Sequence, residues 1–107
     1  MKQQVSTIEE FETIIKSNPR FLLIKHSLTC PISGNAFEEY ENFTTESEFT
    51  TYYLYVQEAR PLSNYIAETY GVKHESPQAL LFENGNVKWH ASHWNITKSS
   101  LKQAIEN

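Results

Sequence analysis

At 107 residues, 39% of them hydrophobic, the chain is long enough to bury a core without staples, and one domain spanning 1–107 is expected. Thirteen Asp and Glu against nine Lys and Arg give a formal net charge of −4, and the basic residues are scattered, which argues against a nucleic-acid surface. A single cysteine excludes an internal disulfide framework and a cysteine-rich zinc site, and nothing signals secretion or membrane insertion, so a reducing cytoplasm is the expected setting.

Ser6-Thr7-Ile8-Glu9-Glu10 offers an N-cap with an acidic residue three positions on, and Ile8, Phe11, Ile14 and Ile15 follow at helical spacing. The first element is therefore a helix, stopped by Ser17-Asn18-Pro19. From Arg20 or Phe21 an apolar run, Phe21-Leu22-Leu23-Ile24, reads as a buried strand. After Pro31, the residues Ile32, Ala36, Phe37, Tyr40 and Phe43 fall mostly on one side of a helix ending near Thr44 or Thr45, with Glu38, Glu39 and Glu41 as its solvated face. Thr51-Tyr52-Tyr53-Leu54-Tyr55-Val56 is a second strand, and Arg60-Pro61 ends that unit. Leu62, Tyr65, Ile66 and Tyr70 give a third helix, terminated by Gly71. Ala79–Phe82 and Val87–His90 flank Asn84-Gly85, the strongest short hairpin signal, and Thr97 caps a last helix that buries Leu101, Ala104 and Ile105. The glycosylation-like triplets at Asn42 and Asn95 are read as chance in this compartment. The order αβαβαββα implies an α/β fold with a mixed four-stranded sheet flanked by helices on both faces.

The lone cysteine sits at the first strand-to-helix corner. Proline is favoured at the first helical position, where its missing N–H has no partner to lose, so Pro31 makes Cys30 the N-cap. There the free N–H groups and the positive end of the helix dipole favour thiolate, and such sites lower a cysteine pKa from about 8.5 into the range of roughly 3.5 to 7.5. Cys30 is thus the candidate nucleophile. Pro31, Ile32 and Ser33 supply the thiolate-stabilising first turn, and the Ser33 hydroxyl is a further donor.

This order of elements, with a cysteine after the first strand and Ser76-Pro77 before the hairpin, resembles the thioredoxin fold across nearly the whole chain. The stretch Ser76-Pro77-Gln78-Ala79-Leu80-Leu81-Phe82-Glu83-Asn84-Gly85 is similar to the family's, which implies a cis Pro77 beside the sulfur. Thioredoxins carry a second cysteine where Thr29-Cys30-Pro31-Ile32-Ser33 has serine, and this sequence, with Trp89-His90-Ala91-Ser92-His93-Trp94-Asn95-Ile96-Thr97, resembles the monothiol bacilliredoxin family. The resemblance implies an oxidoreductase that takes bacillithiol from S-bacillithiolated proteins through a Cys30–bacillithiol disulfide. Bacillithiol is its co-substrate, and free bacillithiol or a bacillithiol disulfide reductase completes the cycle. It also implies that Thr29, Ser76, Pro77, Ser92 and His93 surround the substrate.

The rival readings are a glutathione-type monothiol glutaredoxin-like protein and a non-catalytic thioredoxin-fold binding module. The first lacks the usual Gly-Phe after the cysteine and has its lysine, Lys25, further upstream than glutaredoxins do. No metal is expected: His90 and His93 could join His26 or Cys30 only if strand and loop shared a face, and no acidic partner is evident. On the thioredoxin plan the Ser92-His93-Trp94 loop lies on the face of Cys30, where His93 could hold a negatively charged low-molecular-weight thiol, and His74 has a weaker version of the same role. Lys25 and His26 end the first strand, where a cation would favour the thiolate, although a solvated side chain is the plainer expectation for Lys25. Trp89 and Trp94 are expected to pack in the core and at its rim.

Overall fold

The computed structural model describes residues 2–28 and 31–106, and the side chains of all of these except Lys2, Pro31, Ile32 and Ser33. In chain order the elements are β1 (Lys2–Gln4), α1 (Ile8–Ser17), β2 (Arg20–His26), α2 (Pro31–Glu46), β3 (Thr51–Tyr55), α3 (Arg60–Tyr70), β4 (Gln78–Glu83), β5 (Asn86–Ser92), a 3₁₀ turn (His93–Asn95) and α4 (Lys98–Glu106). They build a five-stranded sheet in the order β1-β3-β2-β4-β5, in which β1, β3 and β2 are parallel and the β4–β5 hairpin is antiparallel.

The expectation of four strands is corrected by β1. Lys2-Gln3-Gln4 carries no apolar alternation; it becomes a strand because β3 offers an open backbone edge, and Val5 N–H extends the ladder to Tyr53 O at 2.9 Å. Arg60 and Pro61, expected to end the preceding unit, instead open α3, where a proline in the first turn loses no hydrogen bond.

Local signals account for the other boundaries. Thr7 and Glu10 close a capping box at the head of α1: Glu10 N–H donates to the Thr7 hydroxyl, and Glu10 Oε1 accepts from Thr7 N–H, both at 3.1 Å. Gly71 ends α3 at φ +68°, the left-handed region open to glycine, and Asn84 and Gly85 turn the hairpin at φ +52° and +82°. Glu39 is not merely solvated, since its carboxylate accepts from the Lys98 N–H at 2.8 Å and so caps α4.

Strand alternation divides the core in two. Phe21, Leu23, Leu80 and Phe82 face α1 and α3, where they meet Phe11, Leu62 and Ile66. Leu22, Ile24, Ala79 and Leu81 face α2 and α4, against Ala36, Tyr40, Phe43, Leu101 and Ala104. Tyr40 is fully buried, and its hydroxyl donates to Tyr52 O at 2.9 Å and Leu22 O at 3.2 Å. Burial drives its phenol well above the usual range.

Candidate active site

Three segments converge at one end of the sheet. β2 leaves the sheet at His26, and α2 begins at Pro31. The register pairs Lys25 with Gln78 and Gln78 with Ser92, so the start of β4 and the end of β5 lie beside the exit of β2. Ser76 and Pro77, joined by a cis peptide bond, come immediately before β4, and His93 comes immediately after β5. The His93 N–H donates to Pro77 O at 3.1 Å, which ties the two loops together.

Of the residues singled out in the sequence, Ser76, Pro77, Ser92 and His93 are thus neighbours. Pro31, Ile32 and Ser33 form the opening turn of α2, and their side chains, with the whole of Thr29 and Cys30, lie outside the described residues. The first turn of α2, opened by Pro31, has N–H groups with no partner inside the helix. His93 takes a left-handed conformation, φ +54°, uncommon for a residue with a side chain. The Ser76 hydroxyl is buried and has no hydrogen-bond partner among the described residues.

The histidines do not gather. His90 is exposed on β5, and the His26 ring packs 4.4 Å from that of Phe37 and 5.5 Å from that of Tyr55. Among the described residues no group of three or more His, Cys, Asp or Glu is arranged to hold a metal ion. His74 is turned inward, its Nδ1 3.2 Å from the Ser63 hydroxyl and 3.4 Å from Lys25 Nζ. Trp89 is half-buried against the α2/α4 core, whereas Trp94, expected at a packed rim, is 64% exposed beside His93.

Lys25 is the main departure from expectation. Far from solvated, it is wholly buried on the α1/α3 face, where Nζ donates to Ser63 O at 3.1 Å and reaches His74. Burial lowers its pKa from 10.5 to about 8. The His74 pKa is lowered as well, first by burial and then by the charges of Lys25 and Arg60, against an opposing pull from Glu75. Residue type misled the sequence reading. The signal was present in the alternation Phe21, Leu23, Lys25, which carries an inward-facing row one position further than the apolar run.

The crossed βαβ unit, the antiparallel hairpin and a cis proline beside the head of α2 define a thioredoxin-fold protein. Comparison agrees. A solved structure provisionally described as an oxidoreductase with a thioredoxin fold is 46% identical, covers 97% of this chain and 93% of its own, and superposes with a TM-score of 0.92. Mitochondrial thioredoxin 3 from Saccharomyces cerevisiae, oxidized form, is similar in fold alone, at 15% identity, TM-score 0.76 and coverage of 97% and 92%. So is a thioredoxin from Fasciola hepatica, at 17% identity, TM-score 0.77 and coverage of 97% and 96%. The family model described as "Monothiol bacilliredoxin BrxC" matches residues 3–101, and the chain belongs to that family. It is thus a thiol oxidoreductase of thioredoxin fold, and no described helix is long and apolar enough to cross a membrane.

Proposed function

We propose that the protein removes bacillithiol from S-bacillithiolated proteins in the cytoplasm by thiol–disulfide exchange at Cys30. The observation that carries this reading is the pair Cys30 and Ser33 at the head of α2 in a chain of the monothiol bacilliredoxin family. A hydroxyl at Ser33 cannot resolve a mixed disulfide, so the second thiol must come from outside.

The Cys30 thiolate attacks the bacillithiol sulfur of the modified protein. A Cys30–bacillithiol disulfide forms as the original S–S bond breaks, and the substrate cysteine leaves as a thiolate that takes a proton from solvent. Free bacillithiol then attacks the sulfur of the bound bacillithiol, releasing Cys30 thiolate and bacillithiol disulfide, which a bacillithiol disulfide reductase returns to two thiols. First-turn N–H groups of α2 stabilise each thiolate of Cys30. Thr29, Ser76, Pro77, Ser92 and His93 line the approach, and the Ser76 hydroxyl, without a partner among the described residues, supports a polar contact to substrate there.

Mass spectrometry after incubation with bacillithiol disulfide, glutathione disulfide or neither tests this. A bacillithiol adduct on Cys30 that disappears in Cys30→Ser is expected, with measurable transfer kept in Ser33→Ala. An adduct from glutathione alone would move the reading to a glutathione-type enzyme, and no adduct from either would end it.

A further inference from the structure

Lys25 stands one strand position away from the loop that carries Pro77, yet no step of thiol exchange uses it. Three side chains grip that loop from below. Lys25 Nζ holds both Ser63 O in α3 and the ring of His74; the Ser63 hydroxyl reaches the same ring nitrogen; and Gln78 Nε2, paired in register with Lys25, donates to Lys73 O at 2.9 Å. Lys25, Ser63 and Gln78 are each at most 1% exposed. The far end of the loop is fixed by the bond from His93 N–H to Pro77 O. Between these ties lie Glu75 and Ser76, both half-buried.

An ammonium beside Nδ1 requires that nitrogen to offer its lone pair, which leaves the His74 proton on Nε2. Charge-assisted bonds of this kind are roughly twice as strong as neutral ones, so the tie is tightest while Lys25 is charged and His74 is not. The groups that bear on the pair are Arg60 and Ser63 from α3, His74 and Glu75 from the loop, and Gln78 from β4, while Leu54, opposite Lys25 on β3, is apolar. A buried ammonium held by two specific partners beside the loop of the candidate site is a candidate for a functional role.

We propose that Lys25 is a positioning residue: its buried ammonium, clamped between Ser63 and His74, sets the place of the 72–77 loop and so the alignment of a disulfide against Cys30. The inference rests on thiol exchange at Cys30 and is independent of which low-molecular-weight thiol is carried.

Two probes separate alignment from thiolate reactivity. Iodoacetamide needs only the thiolate. An extended peptide whose cysteine is disulfide-bonded to 5-thio-2-nitrobenzoate must also lie along the loop; attack by Cys30 forms a Cys30–peptide disulfide and expels the coloured thiolate. In Lys25→Met the peptide rate should fall about tenfold while alkylation stays within about twofold, as expected for a misplaced but intact reacting group. The ratio of the two rates should also decline a few-fold in the wild type as pH rises from about 7 to 9 and be flat in the variant, since the ammonium is lost over that range. His74→Asn, which keeps the ammonium but removes its ring partner, should lower the same ratio, with thermal melts confirming that both variants fold. A ratio unchanged in both variants, or rates that fall together, would overturn the proposal. Failure of the bacillithiol reading would appear instead as a missing bacillithiol adduct with both probe reactions intact.

Discussion

Two residue pairs on the same face of the same two strands, Phe21 with Phe82 and Lys25 with Gln78, are both fully buried and lie four positions apart along β2, yet they do opposite things. At one end Phe21 and Phe82 stack with centroids 4.8 Å apart, and Phe11 and Tyr70 close edge-on around Phe82 at 5.4 and 5.3 Å. Every group there gains by leaving water. At the other end an ammonium and an amide occupy equivalent positions, and taking lysine from 10.5 to about 8 corresponds to a penalty of roughly 3 kcal/mol on its charged form. Distance from the head of α2 separates the two: the sheet face is stabilised by its aromatic end and tolerates a costly group at the end that borders the reactive loop.

The comparison breaks most visibly at the aromatic end. Phe82→Ala should lower unfolding free energy by about 3–5 kcal/mol, since it deletes the ring that three others surround. Denaturant titration reads this directly, and iodoacetamide alkylation of Cys30 in the still-folded fraction should be little changed. A loss near 1 kcal/mol would mean that the neighbouring rings collapse into the gap.

At the polar end the sign reverses. Lys25→Met keeps the apolar stem and removes the buried charge, so stability at pH 7 should rise by about 1–3 kcal/mol. Between about pH 8 and 10.5 an unfolded chain binds a proton at this lysine that the folded chain has released, so wild-type stability gains with pH through this window relative to the variant. The advantage of Lys25→Met should therefore shrink from pH 8 to 10. Tyr40 works the other way above about pH 10, because unfolded tyrosine ionises there while the buried phenol does not, so the comparison belongs below that value. On the acid side His74, whose pKa is lowered, contributes stability that is present above about 6.5 and lost as pH falls through its folded value. Equal stability of variant and wild type across pH 7–10 would mean that the Lys25 ammonium has the same pKa folded and unfolded, so that burial imposes no penalty on its charge.

The aromatic end was legible in the sequence and the polar end was not, for a physical reason. Phe21-Leu22-Leu23-Ile24 and Ala79-Leu80-Leu81-Phe82 declare buried strands by residue type, and Asn84-Gly85 declares the turn between β4 and β5 by backbone conformation. Cys30-Pro31 likewise marks the helix start by chemistry local to two residues. The alternation Phe21, Leu23, Lys25 points Lys25 inward, but the partners that let an ammonium stay buried there, Ser63 and His74, lie 38 and 49 positions away and are not written in the strand. β1 was missed on the same ground, since Lys2-Gln3-Gln4 is a strand only because β3 pairs with it. The pairing of His93 with Pro77 needed a left-handed residue that nothing in Ser92-His93-Trp94 announces.

The smallest effect tests how much the aromatic end owes to its own scaffold. Phe11 enters the ring cluster from α1, four residues after the cap at Thr7. Thr7→Ala removes the hydroxyl that accepts from Glu10 N–H, but the Glu10 carboxylate still accepts from Ser6 and Thr7 N–H, so about 1 kcal/mol should be lost. That is well below the Phe82→Ala loss, because the rings hold α1 from its buried side even when its first turn frays. Those same backbone bonds hold the Glu10 carboxyl below its ordinary 4.5, so they add stability that is present above that value and lost as pH falls through the folded one. The Thr7→Ala deficit should then persist from pH 7 down to pH 3, whereas a Glu10→Gln deficit should shrink over the same interval. If instead Thr7→Ala costs as much as Phe82→Ala, the ring cluster does not anchor α1, and the stabilising end of this sheet face begins at its helix cap.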